Sequence, residues 1–322
     1  MKFTNIPKNG ASWNDKLLYS FSTELEQPSD VVVVVRDVDT GAILGEMRLY
    51  SVTEATVDIS SIIRRSVSLE PPIASSPTIV VSPSLCHVVV EVEGVASPDL
   101  LLFRAPFLAN EHQILSTMTH ENGVALGDTL RFTVNAVKVL SVVIHESIRG
   151  RIRVVESVQF SGSSMPVEVV IPLTSLSASA EKIEVAITNG LVKELYEYQI
   201  VERSSTSRTL LWYNSRGGIE SYAFSHSRSV SRKADVTTIA TTEGSRAWLN
   251  GAESIERLTS ATLSSSEQER LAEIICSPYI YEEYQGKIIP HSLARREIGY
   301  DDHGALQRLS LDIVEEWKGG GL

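Results

Sequence analysis

The alternation of apolar and polar positions predicts β-structure over the first third of the chain. Residues 31–35 are five consecutive valines, and the turn formers Asp39-Thr40-Gly41 separate them from the apolar stretch 42–50, which predicts a hairpin with one buried strand. Residues 58–65 follow a helical period instead, with Asp58 placed to cap one or two turns. Further short apolar runs predict strands at 78–81, 87–92 and 100–103.

The second third continues as short strands separated by breaks rich in Gly, Ser and Asn. Asn189-Gly190 is the strongest hairpin signal, because both central residues of a type I′ turn need positive φ. Strands that recur about every ten residues are typical of a sandwich or a barrel. The predicted strands are 130–134, 137–144, 151–160, 167–171, 183–187 and 191–201.

The last third mixes one helix with strands. Ser264 with Glu267, or Ser266 with Glu269, forms a capping box at the start of this helix, and Pro278 stops it. The stretch 203–208 is a polar joint, and strands are predicted at 279–284, 287–290 and 309–313.

These patterns predict a mainly β protein with three domains. Two antiparallel β-sandwich-like domains, 1–106 and 107–203, precede a small α+β domain, 204–322, that ends in a flexible Gly-rich tail. A length of 322 residues fits two or three domains, and a chain of this size buries enough surface to fold without disulfide or metal.

Composition narrows the class of protein. The formal net charge is −11, which argues against a general nucleic-acid binder, since such proteins need excess cations to displace counterions from phosphate. Cys86 and Cys276 lie far apart and each follows or precedes an aliphatic run, so both are expected to be buried thiols. The N-terminal residues lack the apolar core of a signal peptide, and no apolar run approaches the roughly 20 residues of a membrane span. Synthesis in the cytoplasm without a signal peptide is the expectation.

No catalytic or metal-binding motif emerges. The histidines form no HExxH pair, Gly162-Ser163-Ser164 lacks the second glycine of a nucleophile elbow, and no glycine pattern suits a phosphate. His112 and His120 lie beside Glu111 and Glu121, but a polar entry into the second domain explains them better than a metal. We therefore expect no enzyme activity, no catalytic residue, no metal and no cofactor.

One segment, 203–233, carries six cations and a single acid, Glu220, among several aromatic residues. Arg, Trp and Tyr are favoured anchors of protein interfaces. The alternatives are a hairpin whose aromatic side chains enter the core while its arginines stay in water, and a surface that stacks on nucleic acid. The interface candidates are Trp212, Tyr213, Arg216, Tyr222, Phe224 and Arg228.

Three stretches together resemble structural proteins from phages and prophages of Bacteroidetes-type bacteria. The first is residues 6–21, with Ile-Pro, Ala-Ser-Trp-Asn-Asp and Leu-Tyr-Ser-Phe, together with 55–64. The second, 211–224, is similar to the Trp/Leu-Asn-x-x-Gly-Gly-x-x-x-aromatic hairpin of that group. The third runs from the Ser-capped helix through Ser277-Pro278-Tyr279 to Ile288-Ile289-Pro290 and the closing strand.

The resemblance implies a virion or tail-associated role without catalytic residues. The expected function is a structural component of a phage or phage-tail-like particle that assembles with copies of itself and with other tail or virion proteins, with no nucleic acid and no membrane span. The alternative is a carbohydrate-binding or adhesion module, because β-sandwiches often present aromatic rings to sugars; its partner would be a glycan.

Overall fold

The computed structural model describes residues 1–104, 114–162, 165–190, 192–241, 244–302 and 307–316. Within these ranges only the backbone is described at 233–236, 239, 241, 246–253, 299–302 and 315–316. The fold is mainly β, with antiparallel sheets that pack in layers and two short α-helices. The prediction of the fold class is confirmed.

The first unit contains two sheets whose inner faces enclose one core. A three-stranded sheet has the order β1-β2-β5, and a five-stranded sheet has the order β4-β3-β7-β8, with β9 also paired to β7. The valines of the run alternate in burial: Val31, Val33 and Val35 are fully buried, and the two between them are half-buried. Strand bounds are β1 Lys2–Asn5, β2 Leu18–Ser22, β3 Ser29–Asp37, β4 Ile43–Val52, β5 Glu54–Asp58, β7 Leu85–Val92, β8 Val95–Ala96 and β9 Leu100–Phe103.

The helix α1, Ser60–Ser66, follows β5 directly. Its N-cap residue is Ile59, and Asp58 accepts hydrogen bonds from the backbone N–H of Ser60 and of Leu17, at 3.0 and 3.1 Å. The predicted helix is therefore confirmed. Asp58 does not occupy the N-cap position; it joins the start of the helix to Leu17, in the loop before β2.

The second unit packs a three-stranded sheet against a four-stranded one. The orders are β10-β13-β6 and β12-β11-β14-β15. β6 comes from the first segment of the chain, so the two predicted sandwich domains share a sheet. The bounds are β6 Thr78–Val81, β10 Thr129–Ala136, β11 Val139–Ile148, β12 Arg151–Ser161, β13 Met165–Pro172, β14 Lys182–Asn189 and β15 Val192–Gln199, with a 3-10 helix at Leu173–Ser175.

The hairpin between β14 and β15 forms as predicted, with a turn one residue later. Asn189 pairs with Val192, so it is the last residue of its strand, and Gly190 has φ +64°. The Asn189 side chain is buried, donates to the carbonyl of Asn135 and accepts from the N–H of Val137. The Asn189 side chain links β14 to Asn135 of β10. This contact keeps Asn189 in the strand, although asparagine favours turns.

The third unit is one large sheet covered by the helix α2, Ser265–Ala272, and a 3-10 helix, Glu273–Cys276. The sheet order is β17-β16-β20-β21-β23-β19-β18, with β22 paired to β23. The Ser264 side chain accepts the N–H of Glu267, which confirms the predicted cap. The bounds are β16 Arg208–Tyr213, β17 Ile219–Phe224, β18 Ser227–Thr241, β19 Gly244–Thr259, β20 Ile280–Tyr284, β21 Lys287–Leu293, β22 Gly299–Asp302 and β23 Gln307–Glu316.

Three clusters of buried apolar side chains follow the three units but exchange residues. The first cluster, centred on residues 13–102, also takes Leu211, Tyr213, Ile219 and Tyr281 from the third unit. Met118, which precedes the second unit, joins the third cluster. The units are therefore interlocked. The predicted boundary near residue 106 and the Gly-rich tail lie outside the described residues.

The prediction for one of the two cysteines is wrong. Cys86 is buried, and burial raises the pKa of its thiol to about 12. Cys276 is exposed, because it ends the 3-10 helix after Ile274 has turned into the core. Both thiols are free.

Candidate interaction surface

The structure buries the four aromatic interface candidates. Trp212, Tyr213, Tyr222 and Phe224 are all less than 5% exposed. They belong to the hairpin β16–β17, whose register pairs Tyr213 with Ile219. Because these rings are buried, they offer no surface to a partner in the folded chain. The alternative given above, a hairpin whose aromatic side chains enter the core, describes these four residues.

Both faces of this hairpin are covered, which explains its density of large apolar residues. Alternate residues of a strand point to opposite faces. Leu211 and Tyr213 pack into the first cluster, while Leu210 and Trp212 pack into the third. β16 thus lies between two cores, and a run without polar alternation is the pattern expected for such a strand.

The loop of the hairpin is held by buried polar groups. Asn214 donates to the carbonyl of Leu115 at 2.7 Å and to Glu220 at 2.6 Å, and its oxygen accepts the N–H groups of Arg216 and Gly218. Glu220 also accepts the N–H of Thr117 at 2.6 Å. Burial raises the pKa of Glu220, although the hydrogen bonds from its neighbours oppose that shift. The single acid of the basic segment is therefore structural and does not face solvent.

A second buried carboxyl, Glu168, joins all three units. It accepts hydrogen bonds from Ser82 at 2.6 Å and from Thr133 at 2.8 Å, and the Thr133 hydroxyl in turn accepts the N–H of Ile219 at 2.8 Å. Complete burial raises the pKa of Glu168 to about 7. The sequence offered no signal for this group, because Glu168 lies within an otherwise apolar strand.

Three of the six cations in segment 203–233 pair with acids from elsewhere in the chain. Arg203 pairs with Asp128 at 2.6 Å, and Arg208 pairs with Glu282 at 2.9 Å. Arg228 pairs with Glu256 across the β18–β19 ladder. The cations cluster along the sequence, but in space they are dispersed among carboxylates.

Two arginines of the segment stay in water. Arg216 in the hairpin loop and Arg232 on β18 are exposed and, within the part of the chain that the structure describes, have no carboxylate partner. Among the six interface candidates, only Arg216 and Arg228 are accessible, and they lie on different elements. The described residues do not bring the candidates together as one patch.

A small cleft separates the second unit from the third. Its volume is about 290 Å³. His120 lies in its wall, and burial together with the charge of Arg203 lowers the pKa of the imidazole to about 4, so it is neutral at pH 7. The polar lining residues are His120, Asn122, Glu202, Arg203, Ser204, Tyr222 and Ser225. Among the described residues no cluster of three or more His, Cys, Asp or Glu could hold a metal, and His112 lies outside them.

The two longest strands of the described chain, β18 and β19, form a β-ribbon that the sequence patterns missed. The two strands pair from Ser227 with Thr259 to Thr241 with Gly244. β23 covers β19 only from Glu253 to Thr259. In the described structure, the outer half of the ribbon, from Ala234 to Thr241 and back, therefore has two strands and no third. It is about 26 Å long at 3.3 Å per residue.

The free edge of this ribbon is β18, which pairs with β19 alone among the described strands. Residues 226–232 are exposed without a break, as are Thr237, Thr238 and Ala240 farther along. The uncovered edge of a sheet is a surface to which a strand of another chain can pair. We call residues 227–241 the open edge.

Comparisons with known proteins assign no family. No protein-family model matches the chain. A search of curated proteins finds no significant match. Among solved structures, a tetra-tandem repeat in the extending region of a large adhesion protein is similar at 9% identity, covering 97% of this chain and 80% of that one, with a TM-score of 0.24. A TM-score this low assigns neither fold nor function. Neither described helix is long and apolar enough to cross a membrane.

Proposed function

We propose that the chain is a structural component of a phage or phage-tail-like particle, and that it acts by self-assembly and by contacts with neighbouring particle proteins. The open edge carries this proposal. β18 is fifteen residues long, and its outer eight residues pair with β19 alone among the described strands. An isolated ribbon of two strands is only marginally stable in water, so a third strand from another molecule would stabilise it.

The interlocked core suits such a role. Glu168, Thr133 and Ser82 hold three units together through buried hydrogen bonds, so the body is a rigid support from which the ribbon extends. A rigid body with one projecting edge can transmit its orientation to the next subunit. The resemblance to phage structural proteins, carried by residues 6–21, 211–224 and the region after Ser264, supports the same assignment.

Particles released by producing cells test the proposal. After chemical induction, we expect the chain to band with the particle fraction in a density gradient and to appear there by mass spectrometry at a stoichiometry of many copies. A cytoplasmic enzyme of the same cells is the control for adherent protein. Recovery of the chain only in the soluble fraction, alongside that control, would contradict a role in the particle.

A further inference from the structure

We propose that the open edge pairs with the open edge of a second copy of this chain, antiparallel about a two-fold axis centred on its outer half, residues 234–241. The two ribbons would then form one four-stranded sheet in the order β19-β18-β18-β19. This inference rests on the proposed assembly function and names the partner and the strand.

The position of the unpaired edge supports a strand as the partner. Beyond residue 253, β19 loses its contact with β23, while β18 and β19 continue to pair for a further eight residues of β18. Two strands alone are marginal, whereas three or more form a stable sheet. Pairing of two such ribbons stabilises both ribbons at once, because each gains further strands. A contact through loops would add no strand.

The sequence of the outer half suits β-pairing. It reads Ala-Asp-Val-Thr-Thr-Ile-Ala-Thr, in which five of eight residues are β-branched and only Asp235 is charged. It contains no proline and no lysine, which are residues that proteins use to protect free edges. The exposed side chains of Thr237 and Thr238 are small and leave the edge accessible.

Charge disfavours some positions of the two-fold axis. An axis at Val230 would place Arg228 directly opposite Arg232 of the other copy, twice, and like charges opposite each other destabilise a strand pair. An axis at Thr238 places Thr237 opposite Ile239 and Asp235 opposite Thr241, with no like charges opposed. This register avoids repulsion and covers the two-stranded half.

Two other open edges of the described chain, β12 and β15, are weaker partners for this strand. β12 begins with Arg151 and Arg153, so it would oppose cations to those of β18, and a bulge at Val155 interrupts its ladder. β15 carries Lys193, Glu194 and Glu197 within eight residues. Self-pairing of the outer half needs no charged partner and forms the closed two-fold contact that is commonest among oligomers.

Substitutions at Thr238 test the contact by charge. With the axis at Thr238, Thr238→Lys and Thr238→Glu each place like charges directly opposite each other. We expect each variant alone to self-associate at least tenfold more weakly than the wild type in sedimentation velocity. An equimolar mixture of the two should regain association as a mixed dimer. Circular dichroism and melting temperature show whether either variant is misfolded.

Ser205→Lys and Ser205→Glu, in an exposed loop away from the ribbon, are the matched controls and should leave association unchanged. Association of the wild type that neither Thr238 variant weakens, or no recovery in the mixture, would overturn the edge contact while self-assembly stands. A wild type that remains monomeric at every concentration tested would overturn the self-pairing itself. The gradient experiment on particles would then still decide the structural role.

Discussion

Replacement of Trp212 by alanine is expected to destabilise the fold by about 3–5 kcal/mol, the usual range for truncating a large aromatic core residue. Trp212 is 0% exposed and packs in the third cluster with Leu210, Tyr222 and Phe224. The loss should appear as a lower denaturant midpoint in chemical unfolding, because the cavity lies where the third unit joins the other two.

Two variants make this expectation specific. Trp212→Phe should cost less than Trp212→Ala, since it keeps an aromatic ring and removes an indole N–H that is buried and has no hydrogen-bond acceptor among the described residues. Arg216→Ala, in the exposed hairpin loop, should change stability by less than about 0.5 kcal/mol. Equal, small effects at both positions would show that Trp212 is not a core residue, and would restore the interface prediction.

Removal of the ionisable group at position 168 is expected to change how stability depends on pH. Burial raises the pKa of Glu168 from its ordinary 4.5 to about 7, so the folded chain holds this proton over a range where the unfolded chain releases it. The stabilising contribution is therefore complete below pH 4.5 and is lost as pH rises through 7. From one pKa unit per 1.4 kcal/mol, the loss is on the order of 3 kcal/mol.

Glu168→Gln keeps the shape of the side chain and has no proton to release. Relative to the wild type, this variant should gain stability as the pH is raised from 5 to 8, as measured by urea unfolding at each pH. Glu220 has its pKa raised in the same direction, and its charge also raises the pKa of Glu168, so the difference reports Glu168 together with its interaction with Glu220. Glu46→Gln on exposed β4 is the control for the substitution itself. A difference between variant and wild type that is constant across this range would contradict a titration of Glu168 near pH 7 in the folded chain.

The strands with one buried face were the most accessible to sequence reasoning. The valine run of β3, the Ser264 cap of α2 and the β14–β15 hairpin could all be predicted, because each depends on local alternation or on a local capping residue. The turn after Asn189 differs from prediction because the asparagine side chain bonds to Asn135, which lies 54 positions away.

The candidate surface was harder to predict for a physical reason. Aromatic residues of a strand covered on both faces look like those of an exposed anchor, so Trp212 and Tyr213 could not be placed from their spacing. The excess of cations in segment 203–233 could not be interpreted from the sequence for a similar reason. Glu256 and Glu282, which neutralise Arg208, come from strands far along the chain. The ribbon escaped prediction because Ser229, Ser231 and Arg232 interrupt the apolar pattern of a strand whose described side chains are all exposed.

Amide hydrogen exchange along β18 tests most directly whether the open edge pairs with a strand of another molecule. At low concentration, where the chain is monomeric, the outward amides of β18 should exchange rapidly, since β18 pairs with β19 alone among the described strands. At concentrations where the chain associates, exchange there should slow by at least tenfold, while the buried β16–β17 hairpin stays equally protected in both samples. Association without any slowing of exchange along β18 would contradict the account.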